Sequence, residues 1–399
     1  MKNQPKTKPS NHHADARKRP TPESAVKFIM LGGFLGAGKT TMVLQLALRL
    51  QRAGKKVGII TNDQAAGLVD TALAEELDLP VREIAGGCFC CRSDRLVAAL
   101  KELESERKPD FYIAEPVGSC TDLIATVTLP LKQIYQKEFT IAPYAVLVDP
   151  FRALQTLAPD RQSPFSPNVN YIYRKQLEEA EIIVINKVDV IGENRLGTLR
   201  RTLALDYPDA RVLEVSARSG LGLEPFLELF LSEKSGPKKV MDVDYARYGA
   251  GEAELGWYNA RFQVTAPKAR EKIPAAIANE WLARLAQNIH ESLKQQQIEV
   301  AHLKAVLKAE TKRQRDDSAL AVINLVRSDS SPDISKSLTL PMSNGTLLLN
   351  LRAAGAPEAL ERAVSESVSA AGTHLKTHLF RKEVFRPGQP NPIHRLNSP

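Results

Sequence analysis

Short, continuously apolar runs alternate with helical patterns between residues 26 and 232. Unbroken hydrophobicity of this kind is typical of strands buried on both faces of a sheet. The intervening stretches show the apolar spacing of helices. The predicted strands are VKFIMLGG, VGIITN, DFYIAE, YAVLVD, EIIVINK and ARVLEVSA, and the predicted helices are TTMVLQLALRLQRAGKK, closed by Gly54, and SDRLVAALKEL, with Ser93 as N-cap. This alternation predicts an α/β domain with a doubly wound, mainly parallel sheet.

The pattern changes after a polar segment at residues 233–242, which we interpret as a linker. Residues 243–399 are expected to form a smaller α+β domain with an antiparallel sheet. Its predicted strands are WYNARFQVTA, VAHLKAVLKAE, ALAVINLVRS and TLLLNLRAA, and its helices are IPAAIANEWLARLAQNIHESLKQQ and PEALERAVSESVSAA. Two domains also suit a length of 399 residues, since one hydrophobic core rarely serves so long a chain.

Composition excludes several classes of protein. The net charge is +8, but residues 1–25 hold six basic and two acidic residues, so half of the excess lies in a Pro-rich segment expected to be disordered. No stripe of basic and aromatic residues supports specific nucleic-acid binding. No apolar run reaches the about eighteen residues that span a bilayer, and the first residues lack the apolar segment of a secretory signal. With only four cysteines, we expect a cytoplasmic protein.

A phosphate-binding loop is predicted between the first strand and the first helix, where GGFLGAGKTT matches G-x-x-x-x-G-K-[ST]. The glycines let backbone N–H groups converge on phosphate oxygens. Lys39 adds charge at the β- and γ-phosphates, and the Thr40 hydroxyl is placed to ligate Mg²⁺. The predicted phosphate contacts are Gly33, Gly36, Gly38, Lys39, Thr40, Thr41 and, from a later strand end, Gly118.

The base is predicted to be guanine. Asn186, Lys187 and Asp189 form the N-K-x-D pattern after a buried strand. The aspartate carboxylate accepts from guanine N1–H and from the exocyclic amine, and adenine has no such donors. Ser216 and Ala217 follow in VSARSG, which is similar to the last guanine-contacting loop of GTPases. Together these segments predict GTP as the ligand.

Hydrolysis requires a held Mg²⁺ and an oriented water. Glu115 ends a buried strand, where its carboxylate could hold a Mg²⁺-bound water, and Gly118 could offer its N–H to the γ-phosphate. Asp63 follows the second strand, in the position of a switch that senses the γ-phosphate. The candidate catalytic residues are Lys39, Asp63 and Glu115, with Asp70 and Asp149 as weaker candidates.

Three of the four cysteines, Cys88, Cys90 and Cys91, lie within GGCFCCR. Their thiols can converge in a turn but not on one face of a strand. We expect the following helix N-terminus and Arg92 to lower the thiol pKa values. Three thiolates suit Zn²⁺, Co²⁺ or Cu(I) and leave a coordination position open for a metal that is handed on. Redox-active thiols and a structural cluster are the alternatives, and Cys120 could join either group.

This order of motifs over residues 26–232 resembles the CobW-type metallochaperone GTPases, relatives of the nickel-insertion GTPases of hydrogenase and urease. The resemblance implies a GTPase that loads Zn²⁺ or Co²⁺ and delivers it, under nucleotide control, to a client metalloenzyme or metal-insertion complex. It also implies a homodimer that depends on nucleotide. The residues that match the family motifs are Cys88, Cys90 and Cys91 for metal, Gly33, Gly38, Lys39 and Thr40 for phosphate, Glu115 for the strand-end acid, and Asn186 and Asp189 for guanine.

Two segments depart from that family. Residues 62–65 read Asn-Asp-Gln-Ala where Asn-Glu-Phe-Gly is usual. Residues 115–118 read Glu-Pro-Val-Gly, which is more like the hydrogenase-nickel GTPases and the GTPases that protect cobalamin-dependent mutases. A GTPase chaperone that gates cofactor loading of a cobalamin-dependent enzyme is therefore one alternative. A nucleotide-switched interaction module is another. The seven histidines form no metal-storage tract, and we interpret His374 and His378 as a surface pair on an irregular segment.

Overall fold

The fold is that of a computed structural model. It describes residues 25–62, 79–84, 86–135, 138–157, 163–236, 240–268, 271–311, 316–372 and 374–396. The predicted switch residue Asp63 and the weaker candidate Asp70 lie outside the described residues, and so does the basic segment apart from Ala25.

The first sheet is parallel and its strands run in the order β3-β2-β4-β1-β6-β7-β8, with β5 also paired to β1. The strands are β1 Val26–Gly33, β2 Val57–Asn62, β3 Val81–Ile84, β4 Phe111–Glu115, β5 Phe139–Ile141, β6 Ala145–Val148, β7 Ile182–Ile185 and β8 Arg211–Glu214. Central β1 explains the unbroken hydrophobicity: Phe28 and Met30 enter the core on one face, and Ile29 and Leu31 enter the core on the other. The predicted doubly wound, mainly parallel sheet is confirmed.

Helices cover both faces of this sheet. They are α1 Lys39–Arg52, α2 Ser93–Arg107, α3 Leu129–Ile134, α4 Pro150–Leu157, α5 Pro167–Glu179, α6 Glu193–Asp206, α7 Leu223–Ser232 and α8 Tyr245–Glu254. A π-helical turn at Ile124–Thr128 precedes α3. The last helix, α8, belongs by sequence position to the predicted second domain, yet Tyr248 packs with Ile172 of α5. Because α8 packs on the first domain, the bounds of the two domains, residues 26–232 and 243–399, stay a prediction.

The second sheet is antiparallel, in the order β12-β11-β10-β13-β9-β14, which confirms the predicted α+β domain. Its strands are β9 Gly256–Thr265, β10 Val300–Ala309, β11 Leu320–Leu325, β12 Asp333–Lys336, β13 Asn344–Ala353 and β14 Lys376–Phe385, and its helices are α9 Ala275–Gln295 and α10 Pro357–Ala370. Leucines such as Leu303 and Leu349 pack with Trp281 and Leu360 of these helices in a separate core. The opposite face of the sheet is turned toward the first domain.

Two local predictions are wrong. Ser93 is not the N-cap of α2, because the helix begins at Ser93 itself and the capping position is Arg92, which gives no side-chain cap. His378 does not lie on an irregular segment, since it pairs with Gln263 in the sheet, whereas His374 lies in the preceding turn. No helix among the described residues is both long and apolar enough to cross a bilayer.

Candidate nucleotide and metal site

A cleft of about 640 Å³ opens at the carboxyl ends of the parallel strands, where ligands bind in sheets of this class. One wall comes from the first domain and the other from the antiparallel sheet. The predicted nucleotide residues that line the cleft are Gly36, Gly38, Lys39, Thr40, Thr41, Glu115, Gly118, Asn186, Lys187, Asp189 and Ala217. Gly33 and Ser216 lie behind this surface: the carbonyl of Gly33 accepts from Lys39, and the hydroxyl of Ser216 accepts from a backbone N–H at 3.0 Å.

The phosphate loop is held in one conformation by close contacts. Gly38 has a φ of 92°, and a Cβ at this position would lie 2.4 Å from Nδ2 of Asn186, so only glycine fits. Helix α1 begins directly at Lys39, and its first backbone N–H groups therefore face the cleft. Nζ of Lys39 donates to the carbonyl of Gly33 at 2.9 Å, which places the ammonium group within the loop. This arrangement suits an anionic ligand.

Thr40 and Glu115 meet on the floor of the cleft. The Thr40 hydroxyl donates to the Glu115 carboxylate at 3.0 Å, although the two residues are far apart in sequence. Hydroxyl and carboxylate oxygens are the ligands that Mg²⁺ takes in nucleotide sites. These two side chains therefore fit a Mg²⁺ ion, which when bound would neutralise phosphate charge.

Asn186 ties the base-recognition segment to the phosphate loop. Its Nδ2 donates to the carbonyl of Ala37 at 2.8 Å, and its Oδ1 accepts from the N–H of Ala217 at 3.0 Å. Lys187 adds a bond to the carbonyl of Gly36 at 2.7 Å. Asp189 is exposed at the mouth of the cleft, where its carboxylate is accessible to a base.

Asp149, a weaker catalytic candidate from the sequence, is buried and contacts two basic side chains. Its carboxylate accepts from Lys187 at 2.8 Å and from Arg327 of the second domain at 3.1 Å. It also caps α4 by accepting from the N–H of Arg152 at 2.9 Å. Burial is the largest single effect and opposes ionisation, but the charge and hydrogen bond of Lys187, the N–H of Arg152 and the charge of Arg327 together outweigh it and lower the pKa of Asp149 to about 2. One sequence signal indicated that Asp149 caps this helix: Pro150, the next residue, is the first residue of the helix, a position that favours proline.

The cysteine turn brings three thiols together. The Sγ atoms of Cys88 and Cys90 lie 2.7 Å apart, those of Cys88 and Cys91 3.2 Å, and those of Cys90 and Cys91 3.7 Å. A backbone bond of 3.1 Å from Cys91 to Cys88 closes the turn. Cys88 and Cys90 are buried, and Cys91 is partly exposed. Among the residues that the structure describes, this is the group of side chains placed to hold a transferred metal ion.

The thiol pKa values differ from the expectation. Only the pKa of Cys88 is lowered, first by the Cys120 thiol and then by the other two thiols, against the effect of burial. The pKa of Cys90 is raised, first by Cys120, and that of Cys91 is raised, first by Cys88. Arg92 instead turns to a backbone carbonyl, at 3.3 Å from Gly86. The predicted lowering therefore holds for Cys88 alone, and it comes from the neighbouring thiols rather than from Arg92.

Residues 386–396 cover the cysteine turn, a contact that sequence reasoning missed. The backbone N–H of Asn391 donates to Sγ of Cys91 at 3.2 Å. Arg395 anchors the segment by an ion pair of 2.8 Å with the buried Asp122. Nothing local in the sequence signals these contacts, which join positions hundreds of residues apart.

Asn62 connects the nucleotide cleft to the cysteine turn. It ends β2 and lines the cleft. Its Nδ2 donates to the carbonyl of Ile84 at 2.9 Å and to that of Gly87 at 2.7 Å. Since Gly87 directly precedes Cys88, one side chain spans the cleft and the start of the thiol turn.

The turn at residues 117–120 makes a second connection. Gly118 lines the cleft so tightly that a Cβ there would lie 2.8 Å from the side chain of Leu35 in the phosphate loop. The N–H of Cys120 donates to the carbonyl of Val117 at 3.0 Å and closes the turn. The Cys120 thiol is buried in the same cluster as Cys88 and Cys90.

Comparison with known proteins places part of the chain next to one family. Residues 27–213 match the family model "CobW/HypB/UreG, nucleotide-binding domain". Over these residues, just under half of the chain, the protein is similar to the nucleotide-binding domain of that family. The predicted resemblance to CobW-type proteins is thereby confirmed over residues 27–213.

Individual relatives of this CobW/HypB/UreG domain carry chaperone names. "Zinc chaperone YeiR" of Escherichia coli is 31% identical over 40% of this chain and 46% of its own length. "Zinc chaperone CobW" of Sinorhizobium is 30% identical over 43% of this chain and 53% of its own length. The chain thus spans about half the length of the curated relatives it matches. The solved structure of the Zn(II)-bound YjiA GTPase of E. coli aligns over 87% of this chain and 99% of its own, at 17% identity and a TM-score of 0.36.

Proposed function

We propose that this chain is a GTP-dependent metallochaperone. It binds and hydrolyses GTP with Mg²⁺ in the cleft, and it carries Zn²⁺ or Co²⁺ on Cys88, Cys90 and Cys91. The metal passes to a client metalloprotein under control of the nucleotide. A cytoplasmic location and a homodimer that depends on nucleotide remain predictions of the sequence.

The observation that carries the proposal is the physical connection between thiols and cleft. The three Sγ atoms lie within 4.8 Å of one another. Asn62 and the turn at residues 117–120 join them to the walls of the cleft on two sides. A ligand that moves either connection changes the spacing of the thiols, and this is the structural requirement for coupling two sites.

Zinc is the metal that this thiol set suits best. Zn–S bonds of about 2.3 Å in a tetrahedron place sulfurs about 3.8 Å apart. The observed separations of 2.7 to 3.7 Å need only a small expansion to reach that spacing. The names of YeiR and of the Sinorhizobium CobW protein, both called zinc chaperones, support the same choice. Co²⁺ takes the same tetrahedral geometry and is the second candidate.

Cys120 is proposed as a fourth thiolate of the loaded state. Cys120 lies in the same buried cluster as Cys88 and Cys90, although the thiols within 4.8 Å of one another are those of Cys88, Cys90 and Cys91, so the turn at residues 117–120 would have to move toward them. Four thiolates close a zinc site, whereas three leave a position open for transfer. Because Gly118 borders the cleft, movement of this turn would switch the site between holding and releasing the metal.

Nucleotide binding and chemistry are assigned to the first domain. Thr40 and Glu115 would hold Mg²⁺, and Lys39 and the α1 N-terminus would bind phosphate. Asp189 would read guanine from the cleft mouth. The role of Asp63 as a γ-phosphate switch stays a prediction.

Chelator competition tests the proposal directly. Anaerobic Zn²⁺ and Co²⁺ affinities are measured with and without a non-hydrolysable Mg·GTP analogue, on the wild type and on the Cys88/Cys90/Cys91→Ser variant. We expect binding that tightens with the analogue by about 5- to 150-fold and is lost in the variant. Weak binding that ignores both nucleotide and cysteines would refute the metallochaperone function and favour the cobalamin-enzyme chaperone.

A redox role is the second candidate, because Sγ of Cys88 and Cys90 lie only 2.7 Å apart. It predicts a disulfide that forms readily and responds to nucleotide, with no metal retained under reducing conditions. Mass spectrometry after mild oxidation, with and without bound Zn²⁺, separates the two functions. Protection of the thiols by stoichiometric Zn²⁺ supports the metal carrier.

A further inference from the structure

The second wall of the cleft is the outer face of the antiparallel sheet. Along β10, Leu303, Ala305 and Leu307 point into the domain core. The alternating residues His302 and Lys304 point the other way and line the cleft. A sheet face of this kind is usually solvated, but here the first domain lies against it.

Two rows of side chains cross this face. Strand register aligns His302 with Arg352 and Trp257 in one row, and Asn324 with Lys304, Asn350 and Asn259 in the next. Both cations in these rows are largely buried: Lys304 is 8% exposed and Arg352 is 3% exposed. Cations on the wall of a narrow cleft concentrate anions there.

Arg352 is held firmly in place. Its guanidinium lies 3.8 Å from the ring centre of Trp257 and donates to Oδ1 of Asn259 at 2.7 Å. Trp257 belongs to the same buried cluster as Leu35 and Val117. Arg352 lines the same cleft as Glu115 and Gly118, the residues expected to lie near the γ-phosphate.

The sheet is also fixed to helix α4 and to Asp149, which follows β6, in the first domain. Arg152 of α4, 1% exposed, donates to the carbonyls of Val300 at 2.9 Å and of Val326. Arg327 pairs with Asp149 at 3.1 Å. Because these contacts hold the sheet in place, Lys304 and Arg352 need little rearrangement to bind a ligand in the cleft.

We propose that Lys304 and Arg352 contact the phosphates of bound GTP, so that the antiparallel sheet completes the nucleotide site within one chain. This rests on the proposed binding of GTP. A guanidinium placed against the γ-phosphate stabilises charge that develops during transfer, and such arginines raise hydrolysis by about 10³–10⁵ in other GTPases. The second domain then acts as a built-in activator.

The test compares cleft cations with matched cations outside the cleft. The variants are Lys304→Ala, Arg352→Gln and Arg352→Lys. The controls are Lys308→Ala and Arg261→Gln, which change exposed residues on the same face of β10 and β9. We measure affinity for a Mg·GTP analogue and for GDP, the hydrolysis rate at saturating GTP, and the melting temperature.

We expect Lys304→Ala and Arg352→Gln to lower GTP-analogue affinity about tenfold relative to GDP, and Arg352→Gln to slow hydrolysis about a hundredfold. Arg352→Lys keeps the positive charge over Trp257 but loses the planar stacking of the guanidinium, so it should recover part of the binding. The controls should match the wild type. Folded variants that bind and hydrolyse GTP normally would overturn this proposal alone, whereas a wild type that binds no guanine nucleotide would refute the proposed function.

Discussion

At the residue scale, the site depends on side chains that hold distant segments together. Asn186 is the clearest case, because its amide bonds to Ala37 in one segment and to Ala217 in another. Its replacement by aspartate would remove the donor to Ala37. Motif residues of this kind are structural and ligand-binding at once.

Glu115→Gln is expected to separate nucleotide binding from hydrolysis. The carboxylate meets Thr40 at 3.0 Å and supplies the negative charge that a Mg²⁺ site needs. We expect a fall in the Mg²⁺-dependent hydrolysis rate of about a hundredfold, measured by phosphate release. Affinity for GDP in EDTA serves as the control and should not change; unchanged hydrolysis would contradict the assignment of Glu115.

Arg395→Gln is expected to uncover the cysteine turn. Arg395 pairs with Asp122 at 2.8 Å and holds residues 386–396 over Cys91. Loss of this ion pair should weaken the binding of the segment by about 1 kcal/mol and raise the alkylation rate of Cys91 roughly fivefold. The alkylation is measured by mass spectrometry. Arg386→Gln, in the same segment and exposed, is the matched control. Equal rates in both variants would show that this segment does not protect the thiol.

At the scale of elements, the connection at residues 117–124 is tied to helix α5. Glu179 of α5 accepts from the backbone N–H groups of Leu123 at 2.7 Å and Ile124 at 3.2 Å, and from the Thr121 hydroxyl at 3.1 Å. Burial, followed by the nearby charge of Asp122, raises the pKa of Glu179 to about 8. The segment that carries Cys120 is thus anchored by a carboxyl group that titrates near neutral pH.

This raised pKa predicts how stability depends on pH. The folded chain keeps a proton on Glu179 up to about pH 8, whereas the unfolded chain releases it near the usual pKa of 4.5. The contribution of Glu179 to the free energy of unfolding is therefore fully present below pH 4.5 and is lost as the pH rises toward about 8. We expect the urea midpoint of the wild type to fall over this range and that of Glu179→Gln to fall less. Glu178→Gln, an exposed neighbour on the same helix, should behave like the wild type. Parallel profiles for all three proteins would show that Glu179 keeps an ordinary pKa.

Elements with local signals were predictable from the sequence. β1 and the phosphate loop follow from an unbroken apolar run and a glycine pattern, and α9 follows from its amphipathic spacing. Short strands such as β3 Val81–Ile84 carry too few residues to show a period, and they gain their stability from neighbouring strands. The start of α2 was misplaced because a serine next to a helix does not by itself make a cap.

At the scale of the whole molecule, the candidate site belongs to neither domain alone. The motifs revealed its first wall, because each is contiguous in sequence. Its second wall, with Lys304, Arg327 and Arg352, has no motif and becomes visible only when strand register and domain packing are known. The same holds for Cys120, whose meeting with the cysteine turn depends on the path of the chain after β4.

Coupling between the two sites is the central claim, and thermodynamic reciprocity gives its most direct measurement. Affinity for a Mg·GTP analogue is determined by calorimetry on the wild type, with and without one equivalent of Zn²⁺. Zn²⁺ should tighten nucleotide binding by the same factor, about 5- to 150-fold, by which the nucleotide tightens Zn²⁺ binding. Zn²⁺ that binds tightly to the cysteines but leaves nucleotide affinity unchanged would contradict the account.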